Sequence, residues 1–320
     1  MLSKYENSGP IGCSIPFDLN CITGKSVLIT GVVAYSPLMV SKSAIVTNAD
    51  IRPPRDELKL PGIVQFVQCD VRSWDEQKAA FNAAIASSVN GRIDVIIANA
   101  GISVDDREIE KPDTSLIEIN LIGVIYTARL ALHHFSVEWP GNSTQQDKCL
   151  ILISSIMGYL DARPSDGSTK FAVRAIMRSL RHTGRCRVNI VAPWFIATPI
   201  MTGEVVKTLG GQLTAQGSEF AHSDDSVECF LRIASDKSIH GRGFAIVPRN
   251  IIKQGYIDLD EDDFREGTCA LSCSRSPMAC PIANKVLYGG YSLSHLAKCS
   301  AFSKNVPSKA TSIKISVYFA

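Results

Sequence analysis

The sequence lacks a long apolar run and a strong excess of either charge. No stretch of the 320 residues approaches the ~18 consecutive apolar residues that cross a bilayer. The first residues, MLSKYENSGPIGC, lack the apolar core of a secretion signal. The net charge is +2 without a long run of one sign, so neither nucleic acid nor an anionic membrane is an expected partner. We therefore expect a cytoplasmic chain with no membrane span.

The ten cysteines also lack the spacing of metal ligands. The earlier ones lie in strand-like or helix-like text, which is typical of small buried apolar residues in a reducing compartment. The late ones, Cys269, Cys273, Cys280 and Cys299, have neither zinc-ribbon spacing nor a histidine nearby apart from His295. The sequence predicts no metal site.

Short apolar runs alternate with helix-length amphipathic segments through the middle of the chain. The runs are rich in Val and Ile and do not alternate apolar with polar residues, which is typical of parallel strands covered on both faces. They are Lys25–Thr30, Ala44–Ala49, Ile63–Val67, Ile93–Ala98, Leu150–Ser154, Arg187–Val191 and Phe244–Val247. This order predicts an α/β fold with a doubly wound, Rossmann-like parallel sheet.

Helices are predicted over Trp74–Val89 with Ser73 as N-cap, over Thr114–Phe135 behind Asp113, and over Lys170–Arg181. We expect a single domain over residues 25–265, preceded by an N-terminal segment, residues 1–24. Residues 266–320 are rich in Ser and Cys and predict a poorly ordered C-terminal extension, within which Ile313–Tyr318 has the composition of a short strand.

Four motifs occur in order at the ends of predicted strands and helices. They are Ala98-Asn99-Ala100-Gly101, Ser154-Ser155, Lys170, and Pro193-Trp194-Phe195-Ile196-Ala197-Thr198-Pro199. In this order and spacing, the chain from about Lys25 to Asp263 resembles the short-chain dehydrogenase/reductase family, and most of all its fungal, hydroxyprostaglandin-dehydrogenase-like members. The resemblance implies an oxidoreductase that moves a hydride between a nicotinamide cofactor and a small carbonyl or alcohol.

The resemblance also implies catalytic residues. Ser155 matches the serine that hydrogen-bonds the substrate oxygen, and Lys170 matches the lysine that lowers the pKa of a catalytic tyrosine. Asn120 matches the asparagine that supports a proton-relaying water. The alternatives without a catalytic role are a solvated side chain at a helix start for Lys170 and a buried structural residue for Asn120.

The catalytic tyrosine of the family is missing. Counting back from Lys170 reaches Asp166, counting forward from Ser155 reaches Ser168, and no tyrosine lies between Tyr159 and Lys170. A carboxylate with an unperturbed pKa near ~3.9 is a poor general acid at neutral pH. We therefore predict impaired catalysis, with Tyr159 as a weaker candidate for a substitute base.

The glycine-rich turn that binds the cofactor pyrophosphate in this family is only partly preserved. Thr30 and Gly31 are present, but Tyr35 and Pro37 occupy the positions of the later glycines. Asp50 ends the second strand, where a carboxylate binds ribose hydroxyls and repels a 2′-phosphate. This favours NAD, while the nearby Arg52 and Arg55 leave NADP open, and the plain alternative for Asp50 is a turn.

Other positions match cofactor contacts of the family. Asp70 matches the acid near the adenine, and Asn99, Ala100 and Gly101 match the backbone near the adenine ribose. Arg129 lies at a position that often contacts the cofactor, although a solvated helix face explains a lone arginine equally well. Ile196 and Thr198 match residues that hold the nicotinamide carboxamide and the phosphates in the family, and Lys170 also matches a cofactor contact.

The favoured function is therefore an NAD(P)-dependent oxidoreductase that interconverts a secondary alcohol and a ketone, with a small lipophilic substrate under a mobile segment, Ile200–His222. The alternative is a catalytically silent scaffold that binds a ligand or a partner protein. Relatives commonly pair helices across a two-fold axis, which makes a homo-oligomer an expectation. The resemblance to fungal members implies a place in secondary metabolism.

Overall fold

The computed structural model describes residues 5–18, 22–31, 44–53, 64–103, 114–137, 147–160, 164–198 and 203–263, and everything below concerns these residues. They form one sheet of eight strands in the order β3-β2-β1-β4-β5-β6-β7-β8. The strands are β1 (Ser26–Thr30), β2 (Ile45–Asp50), β3 (Val64–Gln68), β4 (Val95–Ala98), β5 (Cys149–Ile153), β6 (Arg187–Pro193), β7 (Gly243–Ile246) and β8 (Tyr256–Asp258). The doubly wound α/β prediction is confirmed.

Strands β1 to β7 are parallel, and β8 pairs antiparallel with β7. The sequence analysis missed β8, because three residues are too few to show a pattern. The order of the strands reverses between β1 and β4, so their carboxyl ends form the crevice where open parallel sheets bind ligands.

The sheet is apolar on both faces, as its uniform strand composition predicts. Alternate residues point to opposite sides: Val27 and Ile29 of β1 join one core, and Leu28 joins the other. Large side chains such as Leu28 have no exposed surface, and their burial stabilises the fold by roughly 1.5–3 kcal/mol each.

The helices are α1 (Trp74–Ser87), α2 (Ser115–Ser136), α3 (Pro164–Leu180), α4 (Gly203–Ala215) and α5 (Ser223–Ser235). Ser73 caps α1 as predicted, since its hydroxyl accepts a hydrogen bond from the backbone N–H of Glu76. Helix α3 begins six residues before the predicted start at Lys170. Helix α2 contains a π-helical turn, Glu118–Gly123, which apolar periodicity does not reveal.

By length and composition alone, α2 would be long and apolar enough to cross a membrane, contrary to the expectation from the sequence. In the structure, Val124, Ala128, Ala131 and Phe135 of this helix are buried in the core beside the sheet. A core helix passes the same test of length and composition, so this is weak evidence for a membrane span.

The described part of the N-terminal segment packs against the domain. The Ile11 N–H donates to Asp258, and the Arg232 side chain donates to the carbonyl oxygens of Gly12 and Ile15. The predicted C-terminal extension, residues 266–320, and its strand Ile313–Tyr318 lie outside the described residues, as do Asp113, Tyr35 and Pro37.

Candidate active site

At the switch point of the sheet, hydrogen bonds join the residues at the ends of β1 and β4. The Thr30 hydroxyl accepts hydrogen bonds from the backbone N–H groups of Asn99 (3.1 Å) and Ala100 (3.3 Å). Gly31 follows with φ +82°, and a Cβ there would lie 2.9 Å from the Ala100 Cα. Gly31 has no side chain, and this lets the backbone after β1 approach the backbone after β4 at Ala100.

The π-helical turn of α2 carries Asn120 into this crevice. Its amide makes two hydrogen bonds to one residue, because Oδ1 accepts from the Ile102 N–H at 2.7 Å and Nδ2 donates to the Ile102 carbonyl at 2.7 Å. The side chain is buried, and these bonds fix its orientation. Such π-turns occur frequently at functional sites.

Lys170 reaches the same place from α3. A Cβ placed on Gly101 would lie 3.3 Å from Asn120 Oδ1 and 3.6 Å from Lys170 Nζ, so both polar groups border one point. Lys170 is only 3% exposed. A solvated lysine at a helix start is thereby excluded, and the missing side chain of Gly101 leaves the space between these groups open.

Ser155 begins a tight turn, Ile156–Gly158, which follows β5. The Ser155 hydroxyl accepts from the Met157 N–H at 3.2 Å and lies 3.5 Å from the Pro193 carbonyl. The hydroxyl of Ser154 donates to the Lys170 carbonyl at 3.0 Å, which ties the end of β5 to α3. The structure therefore brings Ser155, Asn120 and Lys170 to the carboxyl ends of the strands, with Asn120 and Lys170 meeting at Gly101 and Ser155 beginning the turn after β5.

The residues around this crevice fit a dinucleotide. Asp50 is buried at the end of β2, and its Oδ1 accepts from the Arg52 N–H at 2.8 Å. Among the described residues, the buried Thr198 hydroxyl and Asn99 Oδ1 have no hydrogen-bond partner. Buried polar atoms rarely stay unpaired, so Thr198 would suit a ligand that donates to it or accepts from it. Ile196 is buried two residues earlier and bridges to Ala221.

Two residues that were predicted to contact the cofactor, Asp70 and Arg129, have other surroundings in the structure. The Asp70 carboxylate binds the Arg72 guanidinium (2.6 Å to Nη2), and this hydrogen bonding lowers the pKa of Asp70. Arg129 is exposed in a groove of about 380 Å³ beside Trp74 and His133. It lies nine residues beyond Asn120, about 13 Å along the helix axis, so the structure does not bring it to the crevice.

Tyr159 is not positioned as a substitute base. Its hydroxyl donates to Asp262 at 2.8 Å, and the Arg174 guanidinium carbon lies 3.9 Å from the ring centroid. Burial and the Asp262 charge raise the pKa of Tyr159 well above 10, so it keeps its proton at neutral pH. The side chain of Asp166 lies outside the described part of α3.

Sequence reasoning undervalued Ser154 and missed the backbone of Ile102. The sequence assigns a role to Ser155 alone, yet the Ser154 hydroxyl links the end of β5 to Lys170. The Ser154-Ser155 pair could have indicated this contact, because the first polar side chain beyond a buried strand often hydrogen-bonds to the next helix. The two Ile102 hydrogen bonds come from backbone groups and leave no sequence signal.

Comparisons with known proteins agree with this geometry. A family model described as short chain dehydrogenase matches residues 44–208. The chain is 34% identical to a 5'-hydroxyaverantin dehydrogenase of Dothistroma septosporum over 289 residues, covering 78% of this chain and 91% of that protein.

Two solved structures share the fold. One is a short chain dehydrogenase from Leptospira borgpetersenii with bound NAD+, with a TM-score of 0.58 and 20% identity, covering 72% of this chain and 93% of that one. The other is an NADPH-dependent 3-quinuclidinone reductase from Rhodotorula rubra, with a TM-score of 0.60 and 24% identity, covering 76% and 96%. At these identities they show the fold alone.

Proposed function

Because the chain belongs to the short-chain dehydrogenase family, we propose that it interconverts a secondary alcohol and a ketone with a nicotinamide cofactor. The observation that supports this most directly is the convergence of Asn120 and Lys170 on Gly101, with Ser155 held on the adjoining turn. When bound, the cofactor supplies or accepts the hydride.

The residues of the chain would orient the substrate and handle the proton. The Ser155 hydroxyl is placed to hydrogen-bond a substrate oxygen, which polarises a carbonyl for reduction. The Lys170 ammonium adds positive charge where an alkoxide would develop. The Asn120 amide, held by Ile102, keeps the π-turn beside this pair.

We propose that turnover is slow, because the tyrosine of the family is absent and Tyr159 is bound to Asp262. General acid–base catalysis typically contributes ~10²–10⁴ in rate, so a loss within this range is expected. Lys170 and Ser155 remain in place, which supports residual activity over none.

NAD is the proposed cofactor. The buried Asp50 carboxylate at the end of β2 is suited to accept hydrogen bonds from ribose hydroxyls and would repel a 2′-phosphate. The relatives named above include both an NAD+-bound and an NADPH-dependent protein, so NADP is the second candidate. Thr30, Gly31, Asn99, Ala100, Ile196 and Thr198 are the proposed remaining contacts, whereas the placement of Arg129 and the Arg72 partner of Asp70 argue against those two.

A lipophilic substrate is proposed, by analogy with the 5'-hydroxyaverantin dehydrogenase relative. Half-buried apolar side chains support it, because Met157 follows Ser155, and Phe195 and Phe220 adjoin Ile196 and Ala221. We also propose a place in secondary metabolism, from the resemblance to fungal members, and a cytoplasmic location, from the absence of a secretion signal in the sequence.

A homo-oligomer is proposed from exposed apolar side chains on two neighbouring helices. Ile117 of α2 is 47% exposed and Phe171 of α3 is 48% exposed. Pairing of these helix faces between two copies would bury both side chains.

Turnover tests the proposal. Purified protein would be given NADH or NADPH with a panel of aromatic and aliphatic ketones, and oxidation would be followed by absorbance. We expect slow oxidation that Ser155→Ala and Lys170→Ala abolish, while the exposed Lys237→Ala leaves the rate unchanged. Activity that is unaffected by Lys170→Ala would refute the assignment.

The silent scaffold is the second candidate, and the absence of a tyrosine between Tyr159 and Lys170 favours it. Cofactor binding without oxidation of any NADH or NADPH would support this reading. Measurable turnover that depends on Ser155 would exclude it.

A further inference from the structure

An acidic segment, residues 258–263, begins at the last residue of β8 and pairs with three arginines, Arg174, Arg181 and Arg242. Asp258 binds Arg242, the residue before β7, at 2.8 Å, and Asp263 binds Arg181 just beyond α3 at 3.0 Å. The sequence prediction placed this segment at the end of the domain, just before the extension that begins at residue 266. Its ion pairs with arginines attach it to the rest of the domain.

Asp262 is less exposed than Asp263, the other carboxylate of the segment that binds an arginine of α3 or just beyond it. Its Oδ1 accepts from Arg174 Nε at 2.9 Å, and its Oδ2 accepts from the Tyr159 hydroxyl at 2.8 Å. Gly243 borders both groups, since a Cβ there would lie 2.6 Å from Asp262 Oδ2 and would collide with the Tyr159 hydroxyl. The carboxylate is 3% exposed, so its two donors are held in one arrangement.

Arg174 continues the connection to the crevice. Its Nη1 donates to the Gly158 carbonyl at 2.9 Å, at the end of the turn Ile156–Gly158. A Cβ on Gly158 would lie 2.7 Å from Ser154 Oγ and 3.0 Å from the Lys170 carbonyl oxygen. The turn that begins at Ser155 therefore contacts the Lys170 backbone at Gly158, the residue whose carbonyl accepts a hydrogen bond from Arg174.

We propose that Asp262 is a positioning residue, which orients Arg174 and Tyr159 and thereby fixes the turn Ile156–Gly158 that sets Ser155 relative to Lys170. The catalytic consequence rests on the proposed function, whereas the effect on the turn does not. A buried ion pair is weak evidence for stability alone, because desolvation offsets much of its attraction. Its value here lies in the geometry that it enforces.

The matched pair Asp262→Asn and Asp263→Asn separates positioning from stability. Both substitutions remove a carboxylate that binds an arginine and a tyrosine, since Asp263 binds Arg181 and accepts from the Tyr5 hydroxyl at 2.6 Å. Only Asp262 connects to the turn. The first readout is hydrogen exchange of a peptide spanning residues 154–160, measured on the full chain.

Asp262→Asn is expected to raise exchange in this peptide about tenfold, as loss of a hydrogen bond to a charged group implies. Asp263→Asn is expected to raise exchange in residues 5–17 and to leave residues 154–160 unchanged. Equal exchange of residues 154–160 in the two variants would overturn the proposal. Should Asp262→Asn fail to fold, Tyr159→Phe removes one donor to Asp262 and is expected to raise exchange in the same peptide by a smaller factor.

The second readout is kinetic. In Asp262→Asn we expect kcat to fall about tenfold while the dissociation constant for NADH stays unchanged, since misplacing a catalytic group lowers the rate of the chemical step. Asp263→Asn should retain both values, and equal kcat in the two variants would contradict the catalytic consequence. An inactive wild-type chain would refute the proposed function, and the exchange experiment would still decide the role of Asp262.

Discussion

Replacing Gly31 with alanine tests whether the backbones that follow β1 and β4 lie in close contact at the crevice. Gly31 has φ +82°, where an L-residue is strained by about 1–2 kcal/mol. The added Cβ would also lie 2.9 Å from the Ala100 Cα and 3.0 Å from Asn99 Nδ2. Both neighbours are held by Thr30, so neither moves easily.

Gly24→Ala is the matched control. Gly24 has φ +71°, and no atom of the described residues lies within 4 Å of an added Cβ, so this change introduces the backbone strain without the collision. Overpacking typically adds about 1–3 kcal/mol. We therefore expect the free energy of unfolding to fall by roughly 1–2 kcal/mol in Gly24→Ala and by roughly 2–5 kcal/mol in Gly31→Ala.

Urea unfolding measures both values, and melting temperatures should follow at about 2–4 °C per kcal/mol for a domain of this size. Gly31→Ala should also weaken cofactor binding, whereas Gly24→Ala should not. Equal losses of stability in the two variants would show that the backbones of β1 and β4 do not meet at Gly31, and the proposed crevice would be wrong.

Three further predictions concern buried polar groups. Asp147→Asn leaves Arg187, which is 1% exposed and 2.6 Å from the carboxylate, without its charge partner, and should cost roughly 3–5 kcal/mol by urea unfolding. Burial raises the pKa of Asp147, but Arg187 and Lys25 outweigh it and lower the value, so this stabilisation is present above about pH 4 and disappears as pH falls through the folded pKa. The acid loss of stability should be smaller in Asp147→Asn, and an identical acid profile would contradict the pairing. Asn120→Ala removes both hydrogen bonds to Ile102 and should cost about 1–3 kcal/mol, an outcome that an unchanged melting temperature would exclude. The raised pKa of Tyr159 stabilises the fold fully below about pH 10 and less at higher pH; Tyr159→Phe should therefore lose less stability than wild type between about pH 10 and 11, and parallel curves would refute it.

Much of the fold could be predicted from the sequence because burial on both faces of a parallel sheet leaves a direct pattern. The ends of the predicted runs Ile93–Ala98 and Arg187–Val191 lie within two residues of the ends of the observed strands β4 and β6. The N-cap at Ser73 was predictable for a similar reason, since a single side chain and its third neighbour define it.

The remainder depends on contacts between distant residues. Strand β8 is defined by its partner β7, and the acidic segment acquires its role only when Arg174 and Arg242 meet it. The placement of Asn120 depends on a π-turn and on backbone groups of Ile102, neither of which has a side-chain signature. Arg129 shows the converse, because a matching position on a helix does not fix which way the side chain faces.

Calorimetric titration of the full chain with NADH and NADPH tests the central claim most directly. The structure places Asn120 and Lys170 beside Gly101 and a buried Asp50 at the end of β2. We predict one binding site per chain, tighter for NADH than for NADPH, with the preference reduced in Asp50→Ala. Absence of binding by either nucleotide at millimolar concentration would contradict the account.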